Sequence, residues 1–308
     1  MNELLSLLSQ IESRRIENIT KIYFSRKSGS STKKYITHKP SASNEVQYSI
    51  IDTIFPYIKR QLNSNSLVEY NPMGSLDGEL EYIPILNIPM FEEFLDSIKS
   101  DNLNLEMTSL RIDKIGFYCI EITYNDEQLY IFRQFQKLKK LRQGLLTRIV
   151  NDELNTIESD FLGIDEFVDM VAYKDKLYLL NHISLERIFD YKDEYLKKTN
   201  EALGEILSKN VISNIEQFAE DCKNDVRIMK RFTNIMTKER LPLFFDNYER
   251  VPEIVTELEI DIDFDENGKM IYRERSQLFH IINLLSDSYF KSLIAHRTGI
   301  AKVEEEMQ

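Results

Sequence analysis

The sequence predicts an α+β fold in which β-hairpins and an antiparallel sheet pack with several helices. Apolar residues recur with the 3.6-residue period of helices in some segments and alternate with polar residues, as in strands, in others. Glycine (9) and proline (7) are scarce, and 42% of the 308 residues are hydrophobic, which is typical of a chain with a folded core. We divide the chain into an N-terminal α+β region, residues 1–150, and a C-terminal α+β region, residues 151–308, with one continuous domain as the alternative.

Two predicted helices flank a basic segment near the start of the chain. Residues 2–18 carry apolar residues at helical spacing, and Ser43 can cap a helix in which Pro56 predicts a break or a late start. Residues 21–39 hold six lysines and arginines around a Ser- and Gly-rich run. They form either a β-hairpin with a mobile tip or a loop that becomes ordered on a ligand. A phosphate contact by this segment competes with a solvated surface hairpin.

The middle of the chain alternates between strand and helix patterns. Residues 67–87 contain short strands, and Pro89 fits the first turn of a short helix. Residues 114–135 alternate on both sides of a polar turn, which predicts a long hairpin. Leucines spaced three and four residues apart predict a helix over residues 138–149. A second hairpin is predicted for residues 161–181.

The C-terminal region combines helices with one more hairpin. Ser184 is a good N-cap for a helix that continues towards Ile206, and residues 211–238 have a helical pattern. Residues 258–273 alternate on both sides of Asn-Gly and predict the hairpin. A last helix is predicted from Ser276 through Phe290 because its apolar residues return to helical spacing.

One stretch matches the calcium-loop pattern in full. Its key positions are Asp263, Asp265, Asn267, Gly268 and Glu274. The residues before this loop alternate as a strand, however, where an EF-hand needs an entering helix. Asn-Gly between alternating runs is also a strong hairpin signal. We therefore predict a hairpin here, with a metal loop as the alternative.

Motifs for nucleophilic catalysis, phosphate-binding loops and zinc coordination are missing from the sequence. We accordingly assign no catalytic residue, no metal ligand and no cofactor. The two cysteines, Cys119 and Cys222, are predicted to be small buried hydrophobic residues. Carboxylates are abundant, and Asp77, Glu81 and Glu121 are conceivable ligands of a magnesium-dependent nuclease site, which we keep as an alternative.

The composition also bears on location and on partners. Apolar runs fall short of the roughly 18 residues that span a bilayer, and the first residues lack the pattern of a signal peptide. We therefore expect a cytoplasmic protein. A net charge of -12 predicts weak non-specific attraction to polyanions. Nucleic-acid binding would then depend on a local basic face and would be sensitive to salt.

Positive charge is concentrated in two further places. Six cations and no carboxylate occur between Tyr130 and Arg148. A second row of cations follows one side of residues 211–238, where a solvated helix face is the alternative. The candidate DNA-binding residues are Arg133, Lys137, Lys139, Lys140, Arg142, Arg148, Lys223, Arg227, Lys230 and Arg231. Tyr130, Phe132 or Phe135 would stack on bases if the DNA is single-stranded.

Several stretches of the C-terminal region carry a family resemblance. They are Phe167-Val-Asp-Met-Val-Ala-Tyr-Lys-Asp-Lys-Leu-Tyr-Leu-Leu-Asn181, Leu185-Glu-Arg-Ile-Phe-Asp-Tyr191, Ile262-Asp-Phe-Asp-Glu-Asn-Gly-Lys-Met-Ile271 and Ile282-Asn-Leu-Leu-Ser-Asp-Ser-Tyr-Phe-Lys-Ser292. In these stretches the chain resembles the bacterial KwaB family of the Kiwa anti-phage system, which was first catalogued as a domain of unknown function. The resemblance lies in the order of hairpins and helices.

This resemblance implies a cytoplasmic defence protein that binds DNA. It further implies a KwaA-like membrane protein as partner, which is small, crosses the bilayer several times and recruits the protein to the inner face of the membrane. The implied action is interference with phage DNA replication and transcription by a homodimer or higher homo-oligomer. No residue role is carried over from the family, so the DNA-binding candidates rest on charge.

Two other hypotheses remain open. In the first, the protein is an interaction scaffold without nucleic-acid binding, and the basic segment 130–148 docks on an acidic surface of a partner or of a second copy. The acidic block 152–169 is a candidate for such a surface. In the second, the protein is a metal-dependent nuclease, which ranks last because the sequence shows no recognisable set of metal ligands.

Overall fold

The computed structural model describes most of the chain and divides it into two compact units. The described residues are 1–14, 19–29, 34–74, 76–99, 114–135, 147–150, 153–156, 163–292, 294 and 297–301. The first unit comprises residues 1–70 and 75–190, and the second comprises residues 71–74 and 191–308. The chain passes from the first unit to the second at Asp190, beyond the division placed at residue 150 from the sequence. The α+β class is confirmed, since helices and a large sheet occur together.

A mixed sheet organises the first unit. The strands described there are β1 (Ile19–Lys27), β2 (Tyr35–His38), β3 (Ser66–Glu69), β4 (Glu79–Pro84), β5 (Phe117–Tyr124), β6 (Glu127–Gln134), β7 (Thr147–Val150), β8 (Glu153–Thr156), β9 (Met170–Tyr173) and β10 (Lys176–Leu179). Eight of them form one sheet in the order β2-β1-β5-β6-β9-β10-β4-β3, and β7 pairs with β8 separately. Only β3 and β4 are parallel among the described neighbours in the large sheet.

Local turn chemistry explains the hairpins of this sheet. Asn125 and Asp126 connect β5 to β6 with φ of 49° and 62°. Positive φ at both loop residues is typical of the tightest hairpins, and Asn and Asp tolerate it better than most residues. Lys174, between β9 and β10, has φ of 54°. The hairpins predicted for residues 114–135 and 161–181 are confirmed as β5–β6 and β9–β10. Of the two alternatives for residues 21–39, the structure has the hairpin, β1–β2.

Helices cover this sheet and supply much of its core. They are α1 (Asn2–Ser13), α2 (Asn44–Ser64), α3 (Phe91–Lys99) and α4 (His182–Phe189). Leu4 and Leu8 of α1 share one buried cluster with Ile51 and Phe55 of α2 and with Ile120 of β5. Burial of side chains of this size stabilises a fold by about 1.5–3 kcal/mol each. The amphipathic patterns of both helices thus mark the faces that the core covers.

Two local predictions were wrong in this unit. The break expected at Pro56 does not occur, because α2 continues through it while Phe55 and Ile58 on either side stay buried. Tertiary burial outweighs the missing backbone hydrogen bond. Ser184 is not the N-cap of α4. Asn181 holds that position and accepts a hydrogen bond from the backbone N–H of Ile183, so the helix begins earlier than expected.

The second unit is mainly helical. Its helices are α5 (Lys192–Lys209), α6 (Ile215–Lys223), α7 (Val226–Thr237), α8 (Arg240–Asp246), α9 (Val251–Glu257) and α10 (Leu278–Leu285), and its strands are β11 (Ile212–Ser213), β12 (Asp263–Phe264), β13 (Met270–Ile271), β14 (Tyr289–Lys291) and β15 (Thr298–Ile300). The core joins Ile228 and Phe232 of α7 to Phe218 of α6 and Ile282 of α10. No helix in the described ranges of either unit is long and apolar enough to cross a membrane.

Helix boundaries in the second unit differ from those predicted. The helix expected over residues 211–238 is divided into α6 and α7, because Asp225 adopts an extended backbone and caps α7 with its side chain. The last helix ends at Leu285, so Tyr289 and Phe290 lie on strand β14. Periodicity alone does not show such ends, since the apolar spacing continues past the cap residues.

The stretch that matches the calcium-loop pattern is a hairpin, as predicted. Strands β12 and β13 pair across it, and no helix leads into it, since α9 ends at Glu257. The Asp265 carboxylate accepts hydrogen bonds from the backbone N–H groups of Asn267 and Lys269, at 2.8 and 2.9 Å. Asp263 pairs with Arg273. These carboxylates therefore serve the turn and the adjoining strand.

Both cysteines are free and buried, as expected. Burial raises the pKa of the Cys119 thiol, and it does the same for Cys222. Neutral thiols in such surroundings pack as small hydrophobic groups.

A buried carboxylate joins three parts of the first unit. Asp169, which is 0% exposed, accepts hydrogen bonds from Arg133 Nη1 at 2.9 Å and from the backbone N–H of Gln134 at 2.6 Å. It also accepts one from Asn181 Nδ2 at 3.0 Å, and Asn181 in turn caps α4. A buried charge needs such partners, because desolvation alone would make it costly. The end of β6, the approach to β9 and the start of α4 are thus held by one side chain.

We predict that Asp169→Asn destabilises the first unit strongly. The change keeps the shape of the side chain and removes the charge opposite the buried Arg133 guanidinium. Loss of one partner of a buried ion pair costs about 3–5 kcal/mol, and we expect about 3 because Arg133 retains Asp165. Hydrogen exchange of peptides from β6 and β9 measures the free energy of opening.

Asp165→Asn is the matched control for this variant. Its carboxylate contacts the same guanidinium at 2.9 Å, but its side chain is 48% exposed. Exposed ion pairs contribute about 1 kcal/mol or less. Equal loss of protection in the two variants would show that burial of the Asp169 charge is not what holds these strands.

Candidate nucleic-acid interface

The aromatic residues of the basic segment 130–148 belong to the core of the first unit. Tyr130 is 8% exposed and Phe132 is 0% exposed, both on β6. The Phe132 ring packs against those of Phe94 and Phe189, with centroids 5.3 Å apart in each case. Stacking on bases needs an accessible ring face. The expected stacking role is therefore wrong for Tyr130 and Phe132.

Arg133 is also engaged inside the first unit. It is 9% exposed, and its guanidinium donates to both Asp165 and Asp169 while lying 5.6 Å from the centroid of the Phe167 ring. Burial by itself lowers the pKa of Arg133, and the two carboxylates outweigh this and raise the pKa above its ordinary value. The structure thus gives Arg133 internal partners.

The remaining candidates of this segment are placed only in part. Lys137, Lys139, Lys140 and Arg142 lie outside the described residues. Arg148 lies on β7, which pairs with β8, so the helix predicted over residues 138–149 is wrong at its C-terminal end. Thr147, Ile149 and Val150 are β-branched and favour a strand there.

Two arginines of the second candidate surface lie one turn apart on α7. Asp225 caps this helix, which places Arg227 and Arg231 on the side that meets α10. Their guanidinium carbons lie 5.7 and 5.2 Å from the centroid of the same ring, Phe279. Arg231 Nη1 also donates to Asn283 Oδ1 at 2.5 Å. The four-residue spacing in the sequence thus becomes a pair of guanidinium groups around one aromatic ring.

Asp225 connects this pair to a third arginine. Its Oδ2 accepts hydrogen bonds from Arg227 Nη2 at 3.0 Å and from Arg275 Nη2 at 2.9 Å. The hydrogen bonds from Arg227 and Arg275 outweigh the effect of burial and lower the pKa of Asp225 to about 2. We call Arg227, Arg231 and Arg275 the arginine cluster. Arg275 was missed from the sequence because it lies in the short 3-10 turn before α10, far along the chain.

The arginine cluster keeps an excess of positive charge. Asp225 is its shared carboxylate, and in the described part of the second unit Arg231 forms no ion pair with any carboxylate. Burial lowers the pKa of Arg231, and the charge of Arg227 lowers it further. The side chains of Arg227 and Arg275 are 76% and 57% exposed. An anion would relieve the repulsion between Arg227 and Arg231, and a guanidinium can hold a phosphate through two hydrogen bonds.

The other two candidates of this surface lie apart from the arginine cluster. Lys223 is the exposed last residue of α6. Lys230 extends towards α5, where its Nζ lies 5.6 Å from the centroid of the Tyr195 ring. The cations that the sequence predicts to form a single row therefore lie on two helices, α6 and α7, and their side chains extend in different directions.

The carboxylates considered for a nuclease are separated in the first unit. Glu81 lies on β4 and its Oε2 is 2.7 Å from His182 Nδ1. Glu121 lies on β5, where it accepts hydrogen bonds from Lys21 at 3.1 Å and from the Tyr23 hydroxyl at 2.6 Å. The sheet order places three strands between β5 and β4. Within the described ranges no cluster of three or more His, Cys, Asp or Glu side chains is placed to hold a metal ion.

We predict that Asp225→Asn destabilises the second unit in a pH-dependent way. Asn can still cap α7, so the variant removes the charge between Arg227 and Arg275 and retains the cap. Because the folded pKa of Asp225 is depressed to about 2, its contribution is present above about pH 4 and is lost as the pH falls towards 2. We expect a loss of roughly 1–2 kcal/mol at pH 7, reduced because the arginines are exposed.

The measurement is hydrogen exchange of α7 peptides for wild type and variant, with exchange rates corrected for pH. The difference between the two proteins should shrink as the pH is lowered from 4 to 2. A difference that is constant over this range would contradict the role given to the Asp225 charge.

Comparison with known proteins identifies the family. A family model described as Kiwa protein KwaB-like matches residues 112–295. The match covers more than half of the chain and includes β5, β6 and every helix from α4 to α10. No solved structure matches the chain. The chain belongs to the KwaB-like family of the Kiwa anti-phage defence system.

Proposed function

We propose that this protein is the DNA-binding component of its defence system. Membership of the KwaB-like family supports a role in anti-phage defence. The observation that carries DNA binding is the arginine cluster, in which Arg227 and Arg275 share the Asp225 carboxylate and Arg231 contacts the neutral amide oxygen of Asn283. In a chain with a net charge of -12, such a local excess of positive charge is the feature that a polyanion would recognise.

The geometry of the arginine cluster suits the phosphate backbone. Arg227 and Arg275 present exposed guanidinium groups that Asp225 orients, and Arg231 lies deeper beside Phe279. Phosphate contacts of this kind position a protein on DNA and carry little sequence information. We therefore expect binding that depends strongly on salt and weakly on sequence.

The other candidates are further proposed contacts. Lys223, at the end of α6, and Lys230, on α7, lie outside the arginine cluster. Lys137, Lys139, Lys140, Arg142 and Arg148 form a second proposed contact, carried by the density of charge in the sequence. Arg133 stabilises the fold next to this segment and is not proposed to contact DNA, because its guanidinium is paired with Asp165 and Asp169.

We expect the double variant Arg227→Gln, Arg231→Gln to bind DNA at least about tenfold more weakly at low salt, because two charge-assisted hydrogen bonds are removed. The slope of log K against log salt concentration should become shallower by about 2, since each phosphate contact contributes about 0.9. Fluorescence anisotropy of a labelled duplex at several salt concentrations measures both quantities.

The double variant Lys192→Gln, Lys197→Gln is the matched control, since it removes the same charge from exposed positions on α5. It should bind like wild type. If the arginine variant and the control bind alike, the arginine cluster is not the DNA contact. Replacing Lys137, Lys139, Lys140 and Arg142 with Glu tests the second contact in the same assay.

We further propose that a KwaA-like membrane protein recruits this cytoplasmic protein to the inner face of the membrane. Bound there as a homodimer or higher homo-oligomer, it would obstruct replication and transcription of incoming phage DNA. The family supports partners within the Kiwa system, and no helix in the described ranges could cross a bilayer by itself.

Fractionation of cells tests this recruitment. We expect the protein in the membrane fraction when the neighbouring multi-pass membrane protein is expressed with it, and in the supernatant when it is expressed alone. Equal distribution in the two cases would contradict recruitment. Light scattering of the purified protein with and without DNA measures the size of the homo-oligomer.

A further inference from the structure

A concave basic site in the first unit is lined by residues other than those proposed above for DNA. It is a cavity of about 430 Å³, and four cations line it: Arg26, Lys27, Lys114 and Arg187. These residues come from three separate parts of the chain, namely β1, the residues before β5, and α4. Their convergence was therefore not visible from spacing in the sequence. We call this site the basic cavity.

The basic cavity is built on the core of the first unit. Phe117 and Ile188, both buried, line its apolar side. Tyr35 fixes them, because its hydroxyl donates to the backbone oxygen of Ile188 at 2.7 Å and its ring meets that of Phe117 edge-on at 5.8 Å. At the rim, the N–H of Gly116 donates to the backbone oxygen of Ser25 at 2.9 Å. The four cations are thus carried by backbone segments that contacts in the core hold in place.

The charges of the basic cavity are only partly compensated. Lys27 pairs with Asp190 at 3.1 Å, and Arg187 donates to the neutral amide oxygen of Gln134 at 3.0 Å. Within the described ranges, the side chains of Arg26 and Lys114 have no hydrogen-bonding or ionic partner. Among the described residues, four cations therefore have one paired carboxylate, in a protein whose overall charge is negative. A bound anion would offset the repulsion among them.

We propose that the basic cavity binds a phosphate monoester. A monoester carries close to two negative charges at neutral pH and three acceptor oxygens, which suits several cations arranged around a concave site. The volume falls within the range of small-ligand pockets, whereas a continuous DNA backbone favours an open face. Among the described residues of the lining, the one aromatic residue, Phe117, is buried, so recognition rests on the phosphate and not on stacking of a base.

Two sources could supply this group, a free nucleotide or the 5′-phosphorylated end of a DNA strand. Only the second rests on the proposed DNA-binding function. Binding of inorganic phosphate and pyrophosphate, followed by isothermal titration calorimetry, tests the site independently of DNA. Competition between 5′-phosphorylated and 5′-hydroxyl oligonucleotides of the same sequence then distinguishes the sources.

The double variant Arg26→Gln, Lys114→Gln should lose at least about tenfold in affinity for pyrophosphate, because both side chains line the cavity and lack a partner within the described ranges. The control is Lys39→Gln, Lys99→Gln, which removes the same charge from exposed positions outside the cavity and should bind like wild type. Repeating the comparison in the Arg227→Gln, Arg231→Gln background removes any pyrophosphate bound at the arginine cluster. The loss caused by Arg26→Gln, Lys114→Gln then reports the basic cavity alone, so that failure of the DNA proposal and failure of this one are separable.

Equal pyrophosphate affinity in wild type and in the Arg26→Gln, Lys114→Gln variant would overturn the proposal. So would the absence of binding to wild type at millimolar phosphate or pyrophosphate. Preference for the 5′-phosphorylated oligonucleotide that disappears in this variant supports the DNA end as the source. Pyrophosphate binding without such a preference supports a free nucleotide.

Discussion

The buried carboxylate of Asp169 is the interaction on which the arrangement of the first unit depends. A desolvated charge is stable only when its partners are fixed, and here those partners are Arg133 and the backbone of Gln134 on one side and Asn181 on the other. Asn181 begins α4, and α4 carries Arg187 to the basic cavity. The need of the buried Asp169 carboxylate for fixed partners thus determines where Arg187 lies on the surface.

Positive charge in this chain has two distinct uses. Arg133 is paired with two carboxylates and contributes to folding, whereas Arg227 and Arg275 share one carboxylate and are largely exposed. The difference follows from position, since a strand in the middle of a sheet buries its side chains and the outer side of a helix does not. The density of positive charge along the sequence does not show which cations are paired inside the fold and which are exposed. The burial of each side chain in the structure does show this.

The local part of the fold was predictable, and the assembled sites were not. Asn125 and Asp126 specify a tight turn by their own backbone preferences, so the hairpin that contains them could be found from the sequence. Arg227 and Arg231 could be paired because four residues make one helical turn. Arg275 joins them only through the folded position of Asp225. The continuation of α2 through Pro56 likewise depends on burial against residues that are distant in the sequence. The spacing of apolar residues within the helix does not show these contacts.

We propose that DNA binds at the arginine cluster of this KwaB-like protein. Hydrogen exchange of the whole protein, with and without a saturating DNA duplex, tests this placement most directly. We predict slower exchange in peptides covering residues 225–233 and 273–281, which hold the cluster. Binding of DNA with no change in either peptide, and with protection confined to other parts of the chain, would contradict it.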